Sequence, residues 1–227
     1  MQVSKDWRDS WFLAFIEFAL VALLFVADAH HLIPLSKTPE LVLLGWISLR
    51  LRGLRWRDVG LTWKRPAMQM ILFGVIGGIA IELIELFISQ PLLVRITHRP
   101  PDLSDFIELR GNFKLMLVGL GLTWTLAAFG EEMAWRGWLM NRVAGLGSKT
   151  RLAWVVSLLV VNAAFGMAHA YQGLTGILDE GFMGLPLGLT FLWGDECLWI
   201  PIIAHGVQDS IDTLLLYSGH YPIPHAH

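Results

Sequence analysis

Residues 130–138 read Gly130-Glu131-Glu132-Met133-Ala134-Trp135-Arg136-Gly137-Trp138, and their setting decides the fold. Two adjacent carboxylates and an arginine follow residues 115–129, a stretch without a single Asp, Glu, Lys or Arg. A chain that could hold residues 115–129 in lipid has no cheap way to carry charge directly after them. Inserting a charged side chain at the centre of a bilayer costs roughly 2.5–3.5 kcal/mol on insertion scales. Acids, histidines and arginines inside apolar segments are therefore treated as functional candidates.

The composition supports a membrane setting. Of the 227 residues, 55% are hydrophobic and only 16% charged. Soluble domains carry about 25% charged residues. The 11 tryptophans fit the same reading, because Trp collects at membrane–water boundaries. A net charge of −2 without a basic patch gives no sign of a nucleic-acid partner. The single cysteine, Cys197, excludes an intramolecular disulfide and reads as a small apolar core residue.

The apolar segments are residues 11–27, 41–49, 67–89, 115–129 continuing through the opening motif, 152–168, 181–193 and 198–217. They predict an all-α, polytopic membrane bundle with six or seven spans, up to eight, the second and sixth being short. Lys5 and Arg8 precede the first apolar run, but no small-residue cleavage site follows it, so a first transmembrane helix is expected rather than a signal peptide. With no internal repeat and no linker, residues 1–227 are expected to form a single membrane-embedded domain.

Basic residues give an orientation. Arg50, Arg52, Arg55, Arg57, Lys64 and Arg65 cluster between two spans and should stay in the cytoplasm. By parity, Arg142, Lys149 and Arg151 fall on the same side. Residues 90–114 then lie outside, although Arg95, Arg99, Arg110 and Lys114 there vote the other way.

Three polar clusters stand out. The first is Glu131, Glu132 and Arg136; the second is His169, four residues after Phe165; the third is His205 with Asp209. Residues four apart share a helix face, so Glu132 reaches Arg136, and His205 and Asp209 project together. Glu131 is turned by about 100° from Glu132. Glu132 is then the structural partner of Arg136, and Glu131 is free to face a cavity. Each cluster alone has a plain structural reading, as an ion pair, a helix bridge or a packing pair. Three in one small chain become tolerable when they converge on a wet cavity. Helix rise puts Glu131 at about 22 Å and His169 at about 31 Å from the turn at residues 145–149, and His205 about 17 Å from Gly194, so His169 is the outlier.

Other polar positions carry weaker expectations. Glu82 and Glu85 share a face and read as a helix contact or a cavity lining. Glu17 should pair with a neighbouring helix, and His30 and His31 should mark a span end. Asp179, Glu180, Asp195 and Glu196 read as loop charges, and Asp212 as a neighbour behind Asp209. His220, His225 and His227 suggest no more than adventitious metal capture.

The ordered set EEMAWR, FGMAH and HGVQD on successive apolar segments resembles the CAAX-protease and bacteriocin-processing family of intramembrane endopeptidases, whose pattern is EExxxR, FxxxH and HxxxN or HxxxD. The resemblance covers about residues 115–217; the N-terminal half carries no assignable motif. It implies a four-helix catalytic core around a water-filled cavity. It also implies that Glu131 and His169 activate water, that His205 and Asp209 bind the developing oxyanion, and that Glu132, Arg136 and Phe165 hold the architecture. Eukaryotic members usually have Asn at the place of Asp209. An amide donates to an oxyanion, whereas an ionised carboxylate repels it, so Asp209 must be protonated, orient His205, or bind something cationic.

The residues themselves allow this chemistry. Peptide hydrolysis needs a base for water, a donor for the oxyanion and a proton for the leaving amine. An apolar setting makes a carboxylate a better base and a usable acid. No serine or cysteine stands beside a histidine in these motifs. The competing route is a zinc ion held by Glu131, His169 and His205 with an open position for water. There is no HExxH, and the metal-free glutamate route is preferred. The expected partners are a membrane-anchored protein or peptide substrate and the lipid bilayer, in a prokaryotic plasma membrane. A proton-coupled transporter and a non-catalytic immunity or scaffold protein are the competing classes. The first should show inverted repeats, and the second should have lost a catalytic group.

Overall fold

The computed structural model describes residues 10–34 and 36–222, so Lys5, Arg8, His225 and His227 lie outside the described residues. Among the described residues all regular structure is helical. The long elements are α1 (Trp11–Ala29), α2 (Thr38–Leu51), α3 (Ala67–Thr97), α4 (Phe113–Leu146), α5 (Arg151–Met167), α6 (Gly173–Trp193) and α7 (Trp199–Ser218). The chain is an all-α membrane helical protein.

Short polar side chains start several of these helices by satisfying backbone N–H groups that have no intrahelical partner. Ser10 accepts from the Leu13 amide, Asn112 from Leu115 and Thr150 from Ala153, each at 3.2 Å. Gly219, with φ 73°, closes α7 in the left-handed conformation that glycine adopts most easily.

By length and composition α1, α3 and α4 can each cross a membrane, and α5 with α6, bent by 58° at their junction, pass together as a fourth. This is fewer than the six or seven spans expected. Helix α2 has 14 residues, about 21 Å of rise against a hydrocarbon core of about 30 Å. Helix α7 is long enough at 20 residues, but His205, Gln208, Asp209 and Asp212 make it too polar to qualify. Side chains turned away from the bundle are apolar and bare, as a lipid-facing surface requires: Phe12, Phe15 and Leu23 on α1, Ile76 on α3 and Leu159 on α5 are all more than half exposed.

Helices approach closely where side chains are small, as is usual without a hydrophobic force between helices in lipid. On α3, a Cβ at Gly78 would lie 2.4 Å from the Ala204 carbonyl of α7, and one at Gly74 would lie 2.5 Å from Ile203. On α5, a Cβ at Gly166 would lie 2.2 Å from the Ile177 carbonyl of α6.

One end of the bundle is tied by loop charges. Arg65 pairs with Asp195 at 3.1 Å, Lys149 with Glu196 at 2.8 Å, and Lys64 donates to the Asp195 carbonyl. The basic segment around residues 50–65 and the turn bearing Lys149 therefore share one end, as their parity requires. Leu198 N–H donates to the Gly60 carbonyl at 2.9 Å. Gly60 has φ 115° and no room for a side chain, since a Cβ would lie 2.5 Å from the Glu196 carbonyl.

Two expectations need correction. Trp135 and Trp138, only 1% exposed, belong to the core rather than to a membrane boundary. They sit on the charged stretch that holds the bundle together, and the indole N–H of Trp138 finds Ser48 Oγ at 2.9 Å. Asp179 and Glu180 are helical residues of α6, not loop charges. Asp179 is 3% exposed and accepts from Ser89 of α3. The apolar run from residue 181 marked only the later part of α6, because its first two turns carry polar side chains turned toward the protein.

Candidate active site

Around the opening motif α4 is wider than an α-helix. Thr123–Glu131 and Met133–Met140 are π-helical, a form often found at functional sites. Thr125 Oγ1 donates back to the Gly121 carbonyl at 2.7 Å where the widening begins. Such back-bonding competes with the regular ladder. A Cβ at Gly130 would lie 2.6 Å from Thr38 Cγ2, so its missing side chain lets α2 lie directly against the motif.

The two adjacent glutamates have separate surroundings. Glu132 and Arg136 are completely buried, and Arg136 Nη1 donates to Glu132 Oε1 at 2.6 Å. Arg136 Nη2 donates to Asn162 Oδ1 of α5 at 3.0 Å and to the Gly184 carbonyl of α6 at 2.8 Å. Its guanidinium also lies 4.9 Å from the centre of the Phe165 ring, a cation–π distance. One arginine thus ties α4, α5 and α6 together. Glu131 is half-buried and accepts a long hydrogen bond of 3.4 Å from Thr38 Oγ1.

His205 is fixed by the same buried oxygen. Its Nδ1 lies 2.9 Å from Glu132 Oε1, and its Nε2 lies 3.5 Å from Asp209 Oδ1 one turn along α7. His169 belongs to no α-helix; it sits in the bend between α5 and α6. That is why a depth counted along an unbroken helix made it an outlier. Its Nδ1 lies 2.9 Å from the Phe165 carbonyl. A carbonyl only accepts, so Nδ1 carries the proton and the neutral ring keeps a lone pair on Nε2.

Phe165 is the hub. Its ring centre lies 4.8 Å from that of His169 and 6.3 Å from that of His205, and it meets Trp135 edge-on at 5.5 Å. The three motifs therefore meet around one aromatic ring. Glu131 is within electrostatic reach of His205, Asp209 and Arg136, and His169 is within reach of Asp209. Glu131 makes no hydrogen bond to either histidine. The ligating atoms of Glu131, His169 and His205 do not gather within 4.8 Å of one another; among the described residues only Glu82, Glu85 and Asp212 do.

Residues 113–211 match the family model for the type II CAAX prenyl endopeptidase, Rce1-like. The match covers less than half of the chain and agrees with the CAAX-protease resemblance that the three motifs carry. No curated protein and no solved structure matches the chain. The family is one of membrane proteases acting on membrane-associated proteins, and the chain is an integral membrane protein. The matched residues span α4 to α7 and contain all three polar clusters.

Several neighbours of the site were not anticipated. Asn162 sits in the apolar run VVNAAF, and an amide there is itself a signal. Tyr171, whose ring centre lies 5.9 Å from that of His169, and Thr38 carried no such signal. Of the weaker expectations, Glu17 does bond a neighbouring helix, accepting from Arg142 Nε of α4 at 2.5 Å. His30 caps α1, and Cys197 is fully buried. Asp212, expected behind Asp209, is within electrostatic reach of it and also groups with Glu82 and Glu85.

Proposed function

We propose that the chain is an intramembrane endopeptidase that hydrolyses a peptide bond of a membrane-anchored protein or peptide without a catalytic metal. One observation carries this reading. Glu132 and Arg136 are consumed in a buried framework, which leaves Glu131, His169 and Asp209 half-buried, His169 against the Phe165 ring and Glu131 within electrostatic reach of His205 and Asp209.

In this mechanism a water lies between Glu131 and the Nε2 lone pair of His169. Glu131 takes a proton as the water oxygen attacks the peptide carbonyl carbon. In its protonated form His205 donates through Nε2–H to the developing oxyanion, a role worth about 10²–10³ in rate where measured in other enzymes. Asp209 orients His205; its 3.5 Å separation is too long for a strong hydrogen bond and leaves Nε2–H available. When the C–N bond breaks, the proton on Glu131 passes, directly or through His169, to the leaving amine. The N-terminal half belongs to the same unit, because Thr38 reaches Glu131 and Glu17 holds Arg142. The compact chain and short loops suit a prokaryotic plasma membrane.

The test uses full-length protein in detergent and a membrane-anchored reporter substrate. Glu131→Gln should abolish cleavage and leave the unfolding temperature unchanged. Cleavage by the wild type should persist in EDTA with excess calcium, which removes zinc while keeping hard cations supplied. A Glu131→Gln protein that still cuts overturns the mechanism, and activity that zinc alone restores replaces it with the metal route.

A further inference from the structure

Away from His205, α3 and α7 enclose a second polar cluster. Glu82, Glu85 and Asp212 each offer an oxygen within 4.8 Å of the others. Glu82 is 1% exposed and Glu85 8%. Among the described residues no Lys, Arg or His forms an ion pair with any of the three. Three desolvated carboxylates without a counter-charge would repel one another strongly.

A separate residue indicates what belongs there. Gln208 of α7 is 5% exposed, and its Nε2 donates to Glu85 Oε2 at 2.5 Å. That bond fixes the sense of the amide and seats it against the acids. Its Oε1 is buried and has no hydrogen-bond partner. Both Glu82 oxygens and Asp212 Oδ1 are also buried; the Glu82 and Asp212 carboxyls lie close enough to share a proton, but among the described residues no donor from another residue reaches these atoms. Buried polar atoms are nearly always satisfied, and every unsatisfied atom in this set is an oxygen acceptor.

We propose that Glu82, Glu85 and Asp212, with the amide oxygen of Gln208, form a binding site for a hard divalent cation that clamps α3 to α7. Oxygens surrounding such a cation at about 2.0–2.6 Å lie no more than about 5 Å apart, which matches the spread of the three carboxylates. Carboxylates and an amide carbonyl are ligands for calcium, magnesium or manganese rather than for zinc. Asp212, the least buried of the three, is the point of entry. The cluster is also within electrostatic reach of Asp209, since Asp209 acts on both Glu82 and Asp212. A cation there lowers the negative charge felt beside His205. The site does not depend on the proposed hydrolysis.

The test is manganese binding to full-length protein stripped of cations in detergent, without substrate. Loss of the free Mn²⁺ signal in electron paramagnetic resonance should report one bound ion, displaceable by calcium. Either ion should raise the unfolding temperature by several degrees. The pair Glu82→Gln and Asp212→Asn should abolish binding and the rise; stripped of cations, this variant should unfold at a higher temperature than the stripped wild type, because the repulsion is gone. Gln208→Leu should weaken binding about tenfold. The pair Glu131→Gln and His169→Ala should bind as the wild type does. No uptake by the wild type, as for carboxyls that simply hold protons, overturns the proposal. Equal uptake by the Glu82/Asp212 variant, or loss of uptake in the Glu131/His169 variant, overturns it too.

Discussion

Replacing Arg136 by Met tests whether the buried framework holds the helices. The substitution keeps most of the side-chain volume and removes the guanidinium. It leaves Glu132 with His205 as its one remaining partner, and it strips Asn162 Oδ1 and the Gly184 carbonyl of a donor. Breaking a buried pair from one side costs about 3–5 kcal/mol. Each orphaned acceptor adds about 1 kcal/mol or more, so the expected loss is about 5–7 kcal/mol. Replacing Glu132 by Gln in the same protein removes the uncompensated charge and should recover about 3 kcal/mol, although the two acceptors stay unpaired. The assay is reversible denaturation in mixed micelles of the two single variants, the double variant and the wild type, closed as a double-mutant cycle. A coupling of less than about 1 kcal/mol would show that the pair behaves like a solvated surface bridge, and the assignment of Arg136 as the tie between α4, α5 and α6 would fail.

Asp209→Asn should keep cleavage within about tenfold of the wild type, because an amide still orients His205 and also donates to an oxyanion. Asp209→Leu should lose about 10²-fold or more, as when an oxyanion-site partner is removed; turnover of the reporter substrate by the two variants checks both, and equal losses would deny Asp209 any polar role. Gly166→Ala places a methyl 2.2 Å from the Ile177 carbonyl and 2.9 Å from Gly181 Cα. It should cost about 1–3 kcal/mol through overpacking and also reduce turnover, because the Gly166 carbonyl accepts from the His169 amide at 2.9 Å. Unfolding and turnover measured together check it, and a stability loss at full activity would show that this contact does not position His169.

The motif-bearing half was readable because its polar groups stood out against apolar neighbours. Glu132 and Arg136 could be paired from a spacing of four, and the pair survives in a π-helical segment. His205 and Asp209 followed from the same spacing on a regular helix. The bend at His169 was not legible, since a Gly and a small-residue run are compatible with a continuing helix. The contact of His205 with Glu132 was also hidden, because the two residues are 73 positions apart and neither spacing nor pattern links them. Helix α6 was cut short for the opposite reason: Asp179 and Glu180 looked too polar to be inside. Hydropathy records what a side chain is, whereas placement depends on what faces it, and Ser89 of α3 was the missing information.

The adjacency of Glu131 and Glu132 follows from how the site is held. A carboxylate that bonds both Arg136 and His205 through one buried oxygen has little freedom left, and moving a proton onto it would weaken two contacts at once. A base for water must accept and release a proton in each cycle without loosening the bundle. Those demands conflict in a single residue and are met by two neighbours on different faces of α4. Glu132 keeps His205 in register with the ring of Phe165, and Glu131, held among the described residues by a long contact from Thr38, can change its proton without disturbing that frame. On this division of labour, Glu132→Gln should lose stability and activity together, whereas Glu131→Gln should lose activity alone.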